Sequence, residues 1–248
     1  MTRILLLGGT TEASRLASVL AERGADAVFS YAGRTASPVA QPLPMRVGGY
    51  GGVGGLVQYL SRENITHVID ATHPFAAQMS TNAVAACAQA GVKLAALERA
   101  PWQAAEGDSW LHVSDMQGAV AALPEDKVNV FLAIGKQNLD VFAAKPQHHY
   151  LLRLVDAPEA ALPLPDTSLV IARGPFDADT DTALMLEHAI THVVAKNAGG
   201  AGAEAKLIAA RTLGATIIMI DRPQVPQRRI LRSVDQVLAW LDHAADPS

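Results

Sequence analysis

The sequence lacks the features that mark secreted, metal-rich or nucleic-acid-binding proteins. Its 248 residues include one cysteine, Cys87, so an intrachain disulfide or a cysteine-rich zinc site cannot form. Cys87 lies in an alanine-rich run, which predicts a small buried hydrophobic residue. The net charge of −4 argues against the basic footprint of a nucleic-acid-binding domain. We therefore expect no metal site and no nucleic-acid partner.

Long hydrophobic runs are also missing. The apolar segment Ile4–Leu7 is interrupted by Gly8 and is too short for a signal sequence or a membrane span. We therefore expect no membrane association and a cytoplasmic location. No repeat of fixed period is found, although the two halves can share an architecture without sharing a sequence.

What the chain does contain is an alternation of short apolar runs with longer helical patterns. This alternation is typical of a parallel sheet covered by helices. In the first half the predicted strands are Ile4–Leu7, Ala27–Tyr31, Met45–Val47, His67–Asp70 and Lys93–Leu97, and the predicted helices are Glu12–Arg23, Val53–Glu63 and Phe75–Ala90. In the second half the predicted strands are Val128–Ile134, His149–Leu154, Leu169–Ala172, His192–Lys196 and Thr216–Ile220, and the predicted helices are Gln137–Phe142, Thr180–Ile190, Ala203–Leu213 and Val234–Asp242.

The pattern breaks between Glu98 and Trp110, where we place a domain crossover. The predicted fold class is therefore α/β, with two Rossmann-like lobes built on open parallel sheets, residues 1–100 and residues 111–248. A ligand cleft is expected between the lobes, because ligands of such sheets bind outside the carboxyl ends of the strands.

The segment from the first strand into the first helix is the first candidate site. Gly8 and Gly9 allow close approach of the backbone to a phosphate, and the helix terminus supplies amide donors and partial positive charge. Thr10 and Thr11 add hydroxyl groups and are also candidate caps. The segment lacks the complete G-x-G-x-x-G pattern, so a plain capped turn stays an alternative. We predict that residues Gly8, Gly9, Thr10, Thr11 and Glu12 bind a dinucleotide.

Selectivity for the cofactor is predicted from the end of the second strand. NAD-selective folds carry an acidic residue there, whereas this chain has Ser30 and Arg34. A guanidinium group suits a 2′-phosphate, so the prediction is NADPH, with an exposed loop arginine as the alternative. The glycine-rich segment that includes Gly48 and Gly51 is predicted to approach the same ligand, or to be a flexible turn.

A further candidate segment follows the fourth strand. Ala71 and Thr72 are assigned to the cofactor site and Phe75 to the substrate. His73 is a candidate for proton transfer, although a histidine at a helix start is also a common capping residue.

The second half carries basic and polar residues after successive strands. Their placement at the carboxyl ends of the predicted strands predicts one basic edge that receives several carboxylates. The predicted substrate-binding residues are Lys136, Arg173, Lys196, Asn197, Gly199, Lys206 and Arg222. Lys136 lies at a predicted helix start, and Lys136, His73 and water are the alternative proton donors.

Taken in order, these segments resemble the precorrin-6A reductase family of cobalamin biosynthesis. The resemblance is carried by GGTTEA, SYAGR, RVGGYGG, DATHPFA, IGKQN, ARGPF, KNAGG with EAK, and MIDRP. Ala198 stands where the family often has serine. The resemblance implies a two-lobed Rossmann-like fold and an NADPH-dependent reduction of one double bond of precorrin-6A to give precorrin-6B. It also implies a substrate rich in carboxylates and a hand-over to neighbouring pathway enzymes.

Two other functions are alternatives to this one. A short-chain reductase or sugar epimerase uses a Tyr-x-x-x-Lys pair, and no tyrosine of the chain has lysine four residues later. A sensor that binds the cofactor without turnover remains an alternative, and NADPH consumption on addition of precorrin-6A distinguishes the two.

Overall fold

The computed structural model describes residues 2–33, 38–158 and 160–244. The strands are β1 (Ile4–Leu7), β2 (Ala27–Tyr31), β3 (Met45–Val47), β4 (His67–Asp70), β5 (Lys93–Leu97), β6 (Trp110–Val113), β7 (Asn129–Ala133), β8 (His149–Leu154), β9 (Thr167–Ile171), β10 (His192–Lys196), β11 (Thr216–Ile220) and β12 (Arg229–Leu231). The α-helices are α1 (Thr11–Glu22), α2 (Val53–Arg62), α3 (Ala77–Ala90), α4 (Met116–Ala122), α5 (Ala178–Glu187), α6 (Ala205–Leu213) and α7 (Val234–Ala244). Two 3-10 helices span Asp140–Ala144 and Ala201–Ala203.

The chain divides into two units. The first contains the described parts of Met1–Arg99 and Gln224–Ser248, and the second contains those of Ala100–Pro223. The predicted second lobe, residues 111–248, differs from this division at its carboxyl end. The described residues from Gln224 onward belong to the first unit, because β12 pairs with β5 and α7 packs beside α1.

The first unit is a six-stranded sheet in the order β12-β5-β4-β1-β2-β3, and all its pairs are parallel. Side chains of β1 alternate between its faces, because successive residues of a strand point to opposite sides. Leu6 packs in the cluster with α1 and α7, while Leu5 and Leu7 pack in the cluster with α2 and α3. Cys87 is buried in that second cluster as predicted, and burial raises the pKa of its thiol to about 12.

The second unit repeats this architecture with a different sequence. Its sheet has the order β6-β11-β10-β7-β8-β9, again with parallel pairs. Phe131 of β7 and Met219 of β11 belong to a core cluster that also contains Met185 of α5 and Leu207 of α6. The predicted α/β class with two open parallel sheets is therefore confirmed, and the halves share an architecture as expected.

Each sheet has a point at which the strand order reverses. In the first unit the chain runs from β1 outward to β3 and returns to place β4 on the other side of β1. In the second unit β10 returns to the other side of β7 in the same way. Ligands of open parallel sheets bind outside the carboxyl ends of the strands at such a reversal. The fold therefore predicts ligand sites at the carboxyl ends of β1 and β4, and at those of β7 and β10.

Several elements differ from the predicted ones. The expected helix at Gln137–Phe142 is a 3-10 helix at Asp140–Ala144, and the helix expected from Phe75 begins at Ala77. Strands β6 and β12 and helix α4 are not among the predicted elements, because they are short and carry no clear periodic pattern. Among the described residues, no helix has both the length and the apolar character needed to cross a membrane.

Candidate functional site

The turn between β1 and α1 is shaped by two glycines that are needed for different reasons. A Cβ atom on Gly8 would lie 2.0 Å from Cζ of Phe29, so the core leaves no space for a side chain there. A Cβ atom on Gly9 would meet nothing within 4 Å, but the φ of this residue is +137°, so conformation alone selects glycine. Thr10 caps α1, because its Oγ1 accepts a hydrogen bond from the Ala13 amide at 3.2 Å. The turn thus leaves open space beside the start of a capped helix.

The end of β4 is tied to this turn across the point of strand reversal. Oγ1 of Thr10 donates to the carbonyl oxygen of Ala71 at 2.9 Å. Asp70 is buried, and its carboxylate accepts from Oγ of Ser80 at 2.6 Å and from Oγ1 of Thr72 at 2.7 Å. Thr72 therefore uses its hydroxyl proton inside the protein, and Ala71 contributes a backbone acceptor that fixes Thr10.

His73 and Phe75 form the turn that precedes α3. The amide of Phe75 donates to Nδ1 of His73 at 3.2 Å, and the amide of Ala76 donates to the His73 carbonyl at 2.7 Å. These bonds explain why α3 begins at Ala77 and not at Phe75 as predicted. Because a backbone amide only donates, Nδ1 of His73 is the acceptor, which leaves the proton of the neutral ring on Nε2.

Ser30 lies near the carboxyl end of β2 in contact with Arg46 and Tyr50. Its Oγ receives hydrogen bonds from Nη1 of Arg46 at 3.1 Å and from the hydroxyl of Tyr50 at 2.8 Å. The same guanidinium donates to the carbonyl oxygens of Gly48 at 2.7 Å and Gly49 at 3.0 Å, and lies 3.9 Å above the Tyr50 ring centre. Burial raises the pKa of Tyr50, so its phenol stays protonated as the donor to Ser30.

Arg34, which is predicted to meet a 2′-phosphate, lies outside the described residues. The glycine-rich segment after β3 is described, and Gly48, Gly51 and Gly52 all have positive φ, which favours glycine. Gly55 is needed for space, since a Cβ there would lie 1.7 Å from the Tyr50 carbonyl oxygen. Close packing and positive φ explain these glycines even without a ligand.

Glu12 places a negative charge in the first turn of α1, where Thr11 is exposed. The Glu12 carboxylate forms an ion pair with Arg99, and the distance from Arg99 Nη1 to Glu12 Oε2 is 3.1 Å. The ion pair puts a guanidinium group beside the amino end of α1. The region next to the turn therefore carries a cation that offsets the Glu12 charge.

In the second unit, Lys196 spans the corresponding point of strand reversal. Its Nζ donates to the carbonyl oxygen of Ile134 at 3.1 Å, which joins the ends of β10 and β7. Gly135 follows with a φ of +79°, and Lys136 after it is exposed. Both lysines are predicted to bind substrate. Lys196 is bonded to the backbone at the carboxyl end of the sheet, whereas Lys136 is exposed.

Asn197 and Arg222 hold the loop after β10 in place. The Asn197 side chain accepts from the Trp102 amide at 2.8 Å and donates to the Trp102 carbonyl at 3.1 Å. Arg222 donates through Nε to the Asn197 carbonyl at 2.9 Å. Gly199 is buried, and a Cβ on it would lie 2.0 Å from the Ala100 carbonyl oxygen. These predicted substrate-binding residues are thus engaged in shaping the loop.

Lys206 and Arg173 have opposite environments. Lys206 is buried, and its Nζ donates to the Ala203 carbonyl and lies 4.7 Å from the centre of a Trp102 ring. Arg173 is exposed after the end of β9. A ligand on the surface of this unit can meet Arg173 directly, whereas Lys206 supports the loop that carries Gly199.

A cavity of about 250 Å³ adjoins this loop within the second unit. Two of its lining side chains are hydrogen-bonded to each other, with Nδ1 of His112 lying 2.7 Å from Oδ1 of Asp221. Its other lining residues are Pro101, Trp102, Gln103, Ala104, Asn197 and Arg222.

Residues that shape these sites but are absent from the predicted set include Arg46, Arg99 and Trp102. Of these residues, Arg46 carries the clearest signal in the sequence, because it lies in β3 directly before a glycine-rich segment. Arg99 and Trp102 lie in the crossover, which has no periodic pattern from which to infer their partners.

The fold and the site together define the class of protein to which the chain belongs. Two doubly wound parallel sheets, one with a glycine turn and a capped helix at its strand reversal, are typical of α/β nucleotide-binding proteins. The sequence model of the family described as "Precorrin-6x reductase CbiJ/CobK" matches residues 3–242. The chain belongs to this family, so the predicted membership and the predicted class of reductase in corrin-ring synthesis are confirmed.

Individual relatives agree with this assignment. The chain is 68% identical to the precorrin-6A reductase of Rhodobacter capsulatus, over 100% of this chain and 99% of that protein. It is 30% identical to the cobalt-precorrin-6A reductase of Priestia megaterium, over 95% and 96% of the two chains. A solved structure described as "CobK precorrin-6A reductase" matches with a TM-score of 0.95 and 68% identity, over 100% of this chain and 99% of that one.

Proposed function

We propose that this chain uses NADPH to reduce one double bond of precorrin-6A, giving precorrin-6B. Membership of the family supports the reaction, and a reductase of this family implies a reduced nicotinamide cofactor. The observation that carries the proposal is the turn at Gly9, which leaves open space at the capped amino end of α1.

The first unit fits a dinucleotide at this turn. A side chain on Gly9 would fill the space where a pyrophosphate is expected, and the first amides of a helix lack acceptors within the helix. The amides of Thr11 and Glu12 belong to that first turn. We propose that they bind the phosphates, with Gly8 allowing the backbone to lie close to Phe29 and Thr10 holding the turn against Ala71.

Selectivity for the 2′-phosphate is proposed for two arginines, Arg34 and Arg46. Arg34 is predicted for this role, and Arg46 adds a guanidinium group bound to Ser30 at the carboxyl end of β2. The described residues around Ser30 include no acid bound to it, whereas an acid at this place would favour NADH. The charge near Ser30 therefore supports NADPH.

The carboxylates of the substrate are proposed to bind at the loops of the second unit. Lys136 and Arg173 are exposed there, and their charges suit a tetrapyrrole with acetate and propionate groups. Lys196, Asn197, Lys206 and Arg222 shape the loops through internal bonds, and Gly199 gives the loop its close approach to Ala100.

Bound NADPH supplies the hydride, and the protein contributes orientation and a proton. His73 and Lys136 stay the candidate proton donors, along with water. For His73, the bond from the Phe75 amide to Nδ1 leaves Nε2 to carry the proton that a neutral ring holds. Phe75 lies beside the ring, at 5.8 Å between ring centres, and is proposed to contact the substrate.

The test is cofactor oxidation by the purified protein after addition of precorrin-6A. The proposal expects loss of reduced-nicotinamide absorbance with NADPH, much slower loss with NADH, and stoichiometric formation of a dihydro product. NADPH binding without consumption would support the sensor alternative. A parallel assay with the cobalt complex tests the substrate form named for the Priestia megaterium relative.

We also propose a cytoplasmic location. The product is proposed to pass to neighbouring pathway enzymes, which a co-purification experiment with those enzymes would examine.

A further inference from the structure

The carboxyl-terminal segment brings a buried arginine to the first unit. After the second unit the chain returns, and β12 pairs with β5. Just before β12, the side chain of Arg228 is only 10% exposed. Its Nη2 bonds to Oε2 of Glu98 at 2.7 Å, and its Nε lies 3.9 Å from Oδ2 of Asp70. Arg228 therefore links the returning segment to the end of β4.

Asp70 needs such a cation because its carboxylate is buried. Burying an ionised carboxylate is costly unless it is paired with a cation and accepts hydrogen bonds. The bonds come from Ser80 and from the amide and hydroxyl of Thr72. The Nε atom of Arg228 is buried and forms no hydrogen bond of its own among the described residues, so its interaction with Asp70 is a charge contact.

The bonds at Asp70 continue to the proposed cofactor turn. Asp70 fixes Thr72 through two bonds, and Ala71 lies between them in the chain. The Ala71 carbonyl accepts from Thr10, which caps α1. A path thus runs from Arg228 to the amino end of α1 through the Asp70 charge contact, the Asp70–Thr72 hydrogen bonds, the Ala71 backbone and Thr10.

We propose that Arg228 is a positioning residue for the cofactor, acting through Asp70 on the turn that meets the pyrophosphate. This inference rests on the proposed function and adds a role for the returning segment in it. Without the cation, the Asp70 carboxylate loses its partner and the Asp70–Thr72 turn relaxes. The Ala71 carbonyl then no longer holds Thr10 in place. The affinity for NADPH falls, while turnover at saturating NADPH is retained.

The experiment compares Arg228→Met with Arg228→Lys and with the control Arg229→Met, which removes an exposed charge from the neighbouring position. Kd for NADPH is measured by fluorescence titration, kcat and KM by cofactor oxidation, and folding by circular dichroism. We expect Arg228→Met to raise Kd and KM about tenfold with little change in kcat, which is a typical coupling within a polar network. Arg228→Lys should recover most of the affinity, and Arg229→Met should match the wild type.

A double-mutant cycle tests the route through Asp70. In an Asp70→Asn background the buried negative charge is gone, so Arg228→Met should add little further loss of NADPH affinity. Equal losses in both backgrounds, or an unchanged Kd in Arg228→Met, would overturn the inference. If Arg228→Met does not fold, the same cycle is made with Arg228→Gln, which also removes the charge and whose loss of NADPH affinity must likewise shrink in the Asp70→Asn background. Failure of the proposed function is distinguishable, because the wild-type protein itself would then not bind NADPH.

Discussion

Two glycines at opposite ends of α1 provide a matched test of the phosphate site. Gly9 precedes the helix with a φ of +137°, and Gly24 follows it with a φ of +64°. A Cβ on either residue would meet nothing within 4 Å. Alanine at either position therefore causes no clash, and its direct cost comes from the backbone conformation. We expect that cost to be about 1–3 kcal/mol of unfolding free energy at Gly9 and about 1–2 kcal/mol at Gly24.

The two variants differ in cofactor binding. In Gly9→Ala the methyl group occupies the space proposed for the pyrophosphate, and loss of one charged hydrogen bond costs about 1.5–3 kcal/mol, or tenfold or more in Kd. Gly9→Val, with a branched side chain, should abolish binding. Gly24→Ala should bind NADPH like the wild type, because it lies at the far end of the helix.

Urea unfolding and NADPH fluorescence titration measure the two effects separately. Both variants should lose stability, and only the Gly9 variants should lose affinity. An unchanged Kd in Gly9→Ala, or an equal loss in Gly24→Ala, would refute the assignment of the phosphate site to the Gly8–Glu12 turn.

The remaining predictions concern selectivity, substrate binding and pH. Arg34→Ala and Arg46→Met should each weaken NADPH binding by about 1.5–3 kcal/mol and NADH binding much less, and equal losses for both cofactors in titrations would remove the arginine from the 2′-phosphate site. Lys136→Ala should raise KM for precorrin-6A or lower kcat, whereas wild-type kinetics at saturating NADPH would show that it lies outside the site. Burial lowers the pKa of three histidines, His67, His148 and His192. Below about pH 6.5 the unfolded chain therefore binds protons that the folded chain excludes, so the unfolding free energy should fall as the pH drops below that value. His148→Gln should flatten this dependence in urea unfolding, and an unchanged slope would contradict it.

The sheets were predictable because their strands carry strong local signals. β1, β2, β4 and β5 are short apolar runs bounded by turn residues, and the structure has each of them with the predicted bounds. The turn after β1 was predictable for the same reason, since adjacent glycines between an apolar strand and an amphipathic helix are typical of a tight strand-to-helix turn.

The strands that were missed depend on long-range pairing. β12 has three residues and β6 has four, both lie at the edge of a sheet, and none of their side chains is fully buried. Such strands form because a buried neighbour offers backbone groups, which leaves no periodic pattern in the sequence. The return of the chain to β5, and with it the placement of Arg228, follows from that pairing. Helix α4 did carry a local signal, because Asp115 caps it through a bond to the Gly118 amide.

The burial and contacts of the basic side chains could likewise not be predicted from the local sequence. Lys136 and Lys206 both belong to loop or helix-start segments after strands, yet Lys136 is exposed and Lys206 is buried against Trp102. The difference arises from the crossover segment, which brings Trp102 to the loop after β10 through Asn197. A sequence pattern indicates that a basic residue is near a site but not which group it contacts.

The most direct test of the central claim is a crystal structure of the protein with NADP⁺. The account predicts that the pyrophosphate lies against Gly9 and within hydrogen-bond distance of the Thr11 and Glu12 amides. A pyrophosphate bound anywhere else, or a β1–α1 turn filled by protein side chains in that complex, would contradict it.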